Sequence, residues 1–77
     1  MARPYLKASM TEHVSNTINQ LREMHGITQQ ELATAVGVTR QTIISIEKGK
    51  YQPSVMLALK IARYFKKPLE TIFSYEQ

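Results

Sequence analysis

The chain has 77 residues, 43% apolar and 21% charged, with a net charge of +4; this is one small globular domain, burying only about 60% of the surface its unfolded chain exposes. It has no cysteine, no aspartate and two histidines, His13 and His25, twelve positions apart, which excludes disulfide scaffolds, thiolate zinc sites and thiol catalysis and leaves little from which to build a metal cage. No apolar run approaches the roughly 18 residues of a membrane span, and the opening Met-Ala-Arg-Pro-Tyr-Leu-Lys lacks the apolar stretch of a signal peptide, so a cytoplasmic residence is expected.

Residues 1–13 read as an N-terminal arm that runs into the start of a first helix; the first ten residues contain Pro4 and no repeating period. Met10, Val14, Ile18 and Leu21 then follow the spacing i, i+4, i+8, i+11, which predicts a helix from about Met10 to His25. Ser9 with Glu12 has capping-box spacing, and Thr11 is a rival cap. A second helix is predicted over 28–36, where Thr28 and Glu31 repeat the T-x-x-E spacing and Leu32, Ala33 and Val36 share a face. A third covers about 39–48 with Thr39 as N-cap. A fourth starts after Pro53 with Ser54 as cap, its apolar face drawn by Val55, Ala58, Leu59, Ala62 and Phe65 and widened by Ile61. A short fifth opens near Pro68 and presents Leu69, Ile72 and Phe73. Gly26, Gly37 and Gly49 punctuate these segments. With no period-2 pattern to compete, the expected fold is all-α, five helices with short connections.

The charge is unevenly placed. Residues 1–39 balance Arg3, Lys7 and Arg22 against Glu12, Glu23 and Glu31. Residues 40–67 set Arg40, Lys48, Lys50, Lys60, Arg63, Lys66 and Lys67 against Glu47 alone. A basic middle in a near-neutral chain fits a polyanion partner; a solvated surface would account for the charge equally well.

The third helix has two faces. Ile43, Ile46 and Glu47 lie on one side; Gln41, Ile44, Ser45 and Lys48 lie on the other at i, i+3, i+4, i+7, with Arg40 beside them. Short polar side chains with one aliphatic group suit base edges in a major groove: Arg pairs with guanine, Gln with adenine, and an aliphatic group meets a thymine methyl. A protein partner would also satisfy Ile44. The join to the second helix is short, with Gly37 as the turn, Val38 packing inward and Thr39 as the next cap. Two helices joined in this way form a helix-turn-helix, though such hairpins also occur in proteins that never touch DNA.

Gly-Ile-Thr-Gln-Gln-Glu-Leu-Ala (26–33), Val-Gly-Val-Thr-Arg-Gln-Thr-Ile (36–43) and Ile-Glu-Lys-Gly-Lys (46–50) together resemble the Cro/cI-type, lambda-repressor-like helix-turn-helix family. The likeness continues through Pro-Ser-Val (53–55), Leu-Ala-Leu-Lys-Ile-Ala (57–62) and Leu-Glu-Thr-Ile-Phe (69–73). It implies a five-helix DNA-binding domain over 14–73, with a short tail at 74–77, and helices 2 and 3 as the helix-turn-helix. It also implies a regulator of transcription, a repressor by expectation, on a palindromic operator in the nucleoid. By position, Gln29 would bond a phosphate and brace the recognition helix; Arg40, Gln41 and Ser45 would reach bases; Thr39, Thr42, Lys48 and Lys50 would contact the backbone. Arg22 and Glu47 match the family's internal ion pair.

Two departures stand out. Lys66-Lys67-Pro68 replaces the family's usual Gly after helix four, predicting a less favourable or different helix end. Ile44 occupies a position that is usually polar, so base preference cannot be copied from relatives. No small-molecule domain is expected, since the chain stops at Gln77. Enzymatic activity is not expected either: there is no phosphate loop, no H-E-x-x-H and no aspartate to orient either histidine, and no cofactor is implied. The rival function is a protein-interaction module of the same fold, an antitoxin or adaptor. A homodimer is expected, because one recognition helix reads too few base pairs to select a genomic site. Tyr5, Leu6, Met10, Met56, Tyr64, Phe73 and Tyr75 exceed the needs of one core, which places the dimer surface chiefly in the C-terminal segments, with completion of the monomer core as the simpler role for Phe73.

Overall fold

The computed structural model describes residues 13–76. Five helices form in the expected order: α1 (Ile18–His25), α2 (Gln29–Val36), α3 (Arg40–Glu47), α4 (Val55–Phe65) and α5 (Leu69–Ile72). The caps that start α2, α3 and α4 are those read from the sequence. Thr28 Oγ1 accepts from Glu31 N at 3.0 Å while Glu31 Oε1 accepts from Thr28 N at 2.8 Å, closing the capping box of α2. Thr39 Oγ1 accepts from Thr42 N at 3.2 Å and Ser54 Oγ from Leu57 N at 3.1 Å, each satisfying a donor that the first helical turn leaves without a partner. The buried faces of α1–α5 meet in one core built on Ile18, Leu32, Ile43, Ile46, Ile61 and Ile72.

The start of the domain differs from expectation. The chain is extended over His13–Asn16, forming β1, and α1 begins only at Ile18. β1 pairs antiparallel with β2 (Phe73–Glu76), in the register Val14 with Tyr75 and Asn16 with Phe73. The helical stripe through Val14 therefore does not hold. Asn16 and Thr17 are weak helix formers that favour caps, Asn16 Oδ1 accepts from Ile18 N at 3.2 Å, and Thr17 N donates to Ile72 O at 3.0 Å. Four-residue strands are too short for alternation to outweigh an overlapping helical spacing. The same pairing takes Phe73 out of α5, although its ring still packs against the core. Met10 and the rival caps Ser9 and Thr11, with Glu12, lie outside the described residues.

The buried face of α4 is rotated from the predicted one. Leu57, Ala58, Ile61, Ala62 and Phe65 are buried, whereas Val55 and Leu59 are 74% and 51% exposed. Two overlapping stripes share Ala58, Ala62 and Phe65; the one carrying Leu57 and Ile61 faces the core.

Lys66 ends α4 with φ 57°, the left-handed conformation, and its N–H reaches Arg63 O at 3.1 Å while Lys67 N reaches Ala62 O at 3.1 Å. The lysine thus occupies the conformation for which the family uses glycine, where a Cβ costs roughly 1–2 kcal/mol. Lys66→Gly is expected to stabilise the domain by about 0.5–1 kcal/mol, glycine's extra unfolded-state freedom offsetting part of the relief. A thermal melt should rise by roughly 2–8 °C; a fall would show that the lysine side chain contributes more than its backbone costs.

Candidate nucleic-acid interface

Helices α2 and α3 are joined by Gly37, whose φ of 80° turns the chain back so that Val38 N donates to Ala33 O at 3.0 Å. Val38 packs on the core, and Thr39 opens α3 at once. The turn therefore fixes one helix against the other through backbone hydrogen bonds and a buried side chain together.

The far end of α3 is held by a polar hub. Arg22 Nε donates to Glu47 Oε2 at 2.6 Å and Arg22 Nη2 to Glu47 Oε1 at 3.2 Å; the two side chains are 12% and 9% exposed. Arg22 also donates to Ile27 O at 3.2 Å and Asn19 Oδ1 at 2.9 Å. Gln29 Nε2, at the start of α2, donates to Glu47 Oε1 at 3.0 Å. One carboxylate thus receives donors from α1 and α2 and ties both to the last residue of α3. The Glu47 hydrogen bond raises the Arg22 guanidinium above its ordinary pKa, against the opposing effect of burial. Asn16 adds a further tie, its Nδ2 donating to Ile46 O at 2.9 Å. Sequence reasoning missed Asn16, because its contact depends on a strand that the helical spacing concealed.

Between these two fixed ends, α3 turns Ile43 and Ile46 into the core and leaves the opposite face open. Arg40, Gln41 and Lys48 are exposed, as are Thr39 before the helix and Lys50 after it; Thr42, Ile44 and Ser45 are half-buried. Ile44 is thus less exposed than its polar neighbours imply. Gln41 Nε2 lies 3.5 Å from Ser45 Oγ, too long a contact to hold the amide against a better partner. Thr39 and Thr42 share a hydroxyl–hydroxyl hydrogen bond of 3.1 Å.

Two open hollows flank this face. One, about 580 Å³, is lined by Arg22, Ile27, Thr28, Gln29, Gln30 and Arg40. It brings Arg40 beside the start of α2, a juxtaposition of two helices that spacing along one helix does not reveal. The other, about 220 Å³, is lined by Thr39, Gln41, Thr42, Ser45 and Tyr51. Tyr51 is absent from the set predicted from the sequence; its position directly after Lys48-Gly49-Lys50 was the available signal.

A family model described as helix-turn-helix matches residues 18–72. An uncharacterised helix-turn-helix-type transcriptional regulator of Methanocaldococcus jannaschii is 52% identical, over 82% of this chain and 96% of its own length. The cryptic phage CTXphi transcriptional repressor RstR, from Vibrio cholerae, is 30% identical over 78% of this chain and 54% of its own length. Among solved structures, the restriction-modification controller protein C.AhdI of Aeromonas hydrophila superposes with a TM-score of 0.65 at 26% identity, over 70% of this chain and 78% of that one. The matched region runs through the turn at Gly37, the Glu47 hub and the open face of α3, and the chain belongs to the Cro/cI-type helix-turn-helix family of transcriptional regulators.

Proposed function

We propose that the protein binds duplex DNA sequence-specifically, with α3 in the major groove. The observation that carries this reading is the open face of Gln41, Ile44 and Ser45, flanked by Arg40 and Lys48 on a helix held at both ends. Gln41, Ser45 and Arg40 offer base-edge contacts and Ile44 an apolar one. The hollow at the start of α2 seats a phosphate: the helix N-terminus favours an anion and Arg40 lies beside it. One amide hydrogen of Gln29 goes to Glu47, which leaves the second to donate to that phosphate. Thr39, Thr42, Lys48 and Lys50 complete the backbone contacts. Repression in the cytoplasm, at the nucleoid, is the proposed outcome, by analogy with the phage relative.

The working form we propose is a symmetric homodimer on a palindromic operator. Supporting it, Tyr75 is 63% exposed beside Val14 on the short sheet, and Met56 and Tyr64 remain exposed on α4. Tyr5, Leu6 and Met10 lie outside the described residues. Phe73 belongs to the monomer core and leaves the list.

Selection of bound sites from random duplex DNA tests both statements. The expected result is an inverted repeat with half-site centres about 34 Å apart, and sedimentation showing two chains per site. No enrichment would overturn DNA reading and favour a protein-interaction module; a single half-site bound by one chain would overturn the dimer.

A further inference from the structure

We propose that Tyr51 is a phosphate-binding residue, donating its phenolic hydroxyl to the DNA strand that passes Thr39 and Thr42. The inference rests on the DNA-binding reading and adds a contact to it. Tyr51 borders the hollow formed with Thr39, Gln41, Thr42 and Ser45, and also a second one formed with Thr42, Ser54, Met56 and Lys60. Its ring therefore stands between the open face of α3 and the start of α4. It is 48% exposed, and its hydroxyl has no hydrogen-bond partner among the described residues. A tyrosine in such a place uses an apolar body to pack and leaves a polar tip for a partner.

The position is also well fixed. Lys50 N donates to Ser45 O at 2.9 Å, anchoring the backbone one residue before Tyr51, and Ser54 caps α4 three residues after it. No carboxylate lines either hollow, so an incoming phosphate meets no like charge. Lys48 and Lys50 are exposed on the same segment. The backbone that carries Tyr51 is thus held before DNA arrives, so that part of the ordering cost is spared.

A neutral donor leaves a signature that a lysine cannot mimic. The salt dependence of DNA binding counts the charges that displace counterions; removing a phenolic hydroxyl removes a hydrogen bond and no charge. Tyr51→Phe should weaken binding about tenfold on the selected site and on a random-sequence duplex alike. The slope of log affinity against log salt should stay that of the parent, and so should the thermal melt. Replacing phosphates of the selected duplex one at a time by methylphosphonate should reveal one position where the parent loses affinity and Tyr51→Phe loses nothing further.

The outcomes separate the two proposals. A parent chain that retains no duplex at all overturns the DNA reading, and Tyr51 with it. A parent that binds while Tyr51→Phe matches it overturns the role of Tyr51 alone. A loss confined to one base-pair identity, or a melt lowered in parallel with affinity, also overturns the phosphate contact, since the first indicates base reading and the second a structural role.

Discussion

Glu47→Gln is expected to lower the melting temperature by roughly 12–24 °C, at 4–8 °C per kcal/mol for a domain of this size. Glu47 and Arg22 are nearly buried and joined by two hydrogen bonds, with Gln29 as a third donor. Glutamine keeps one acceptor oxygen but turns an amide N–H₂ toward groups that are themselves donors. Arg22 is then left as a shielded, uncompensated charge, and unlike a lysine it cannot shed its proton to escape. Stranding one partner of a buried pair costs about 3 kcal/mol or more, a large part of the stability of a small domain. Because the Arg22 pKa is raised, its share of the stabilisation is present throughout the pH range below that of a free guanidinium and is lost only above the raised value. A melt that overlays the parent would reduce the pair to the worth of an exposed one, about 0–1 kcal/mol.

Gln41→Ala and Lys50→Ala should damage DNA binding in different ways. Gln41 lies exposed on the open face of α3 with only a 3.5 Å contact to Ser45. Its loss should cost about 1–3 kcal/mol on the preferred site and relax the preference at the base pair it reads. Lys50 is exposed beyond the helix end. Its removal should weaken every sequence alike and flatten the salt slope by about one unit. Affinity measured on preferred and scrambled duplexes at several salt concentrations separates the two. Equal losses on every sequence for both variants would abolish the proposed division between reading and positioning.

Helices α2–α4 were legible because local signals agreed at each: Thr28 with Glu31, Thr39, and Ser54 each precede an apolar period and each makes its cap. Arg22 and Glu47 were proposed as partners through the family resemblance and do pair. The same resemblance implied that Gln29 braces the recognition helix, but not that it does so by donating to Glu47. What was illegible depended on contacts far apart along the chain. Val14 fits a helical stripe by spacing, yet the partner that makes it a strand is Tyr75. The face of α4 was ambiguous because helical period fixes a stripe's direction but not which of two overlapping stripes meets the other helices. The exposure of Val55 and Leu59 follows from that choice. Tyr51 went unread because it lies in a connection, where no period exists to assign a face.

The short sheet has a consequence for the order of assembly. Its strands pair His13 with Glu76, the two ends of the described chain, so forming it first would close a loop of roughly 60 residues at a cost on the order of 3–4 kcal/mol. Two four-residue strands, marginal on their own, cannot offset that. Helices α1–α5 bury their shared core through contacts that are nearer in sequence, and packing them brings Asn16 and Phe73 together, after which pairing orders only a few residues. The sheet is therefore a late seal on a helical body, and its strands can part at the cost of the Asn16 tie to Ile46 while α3 keeps its hold through Arg22 and Gln29.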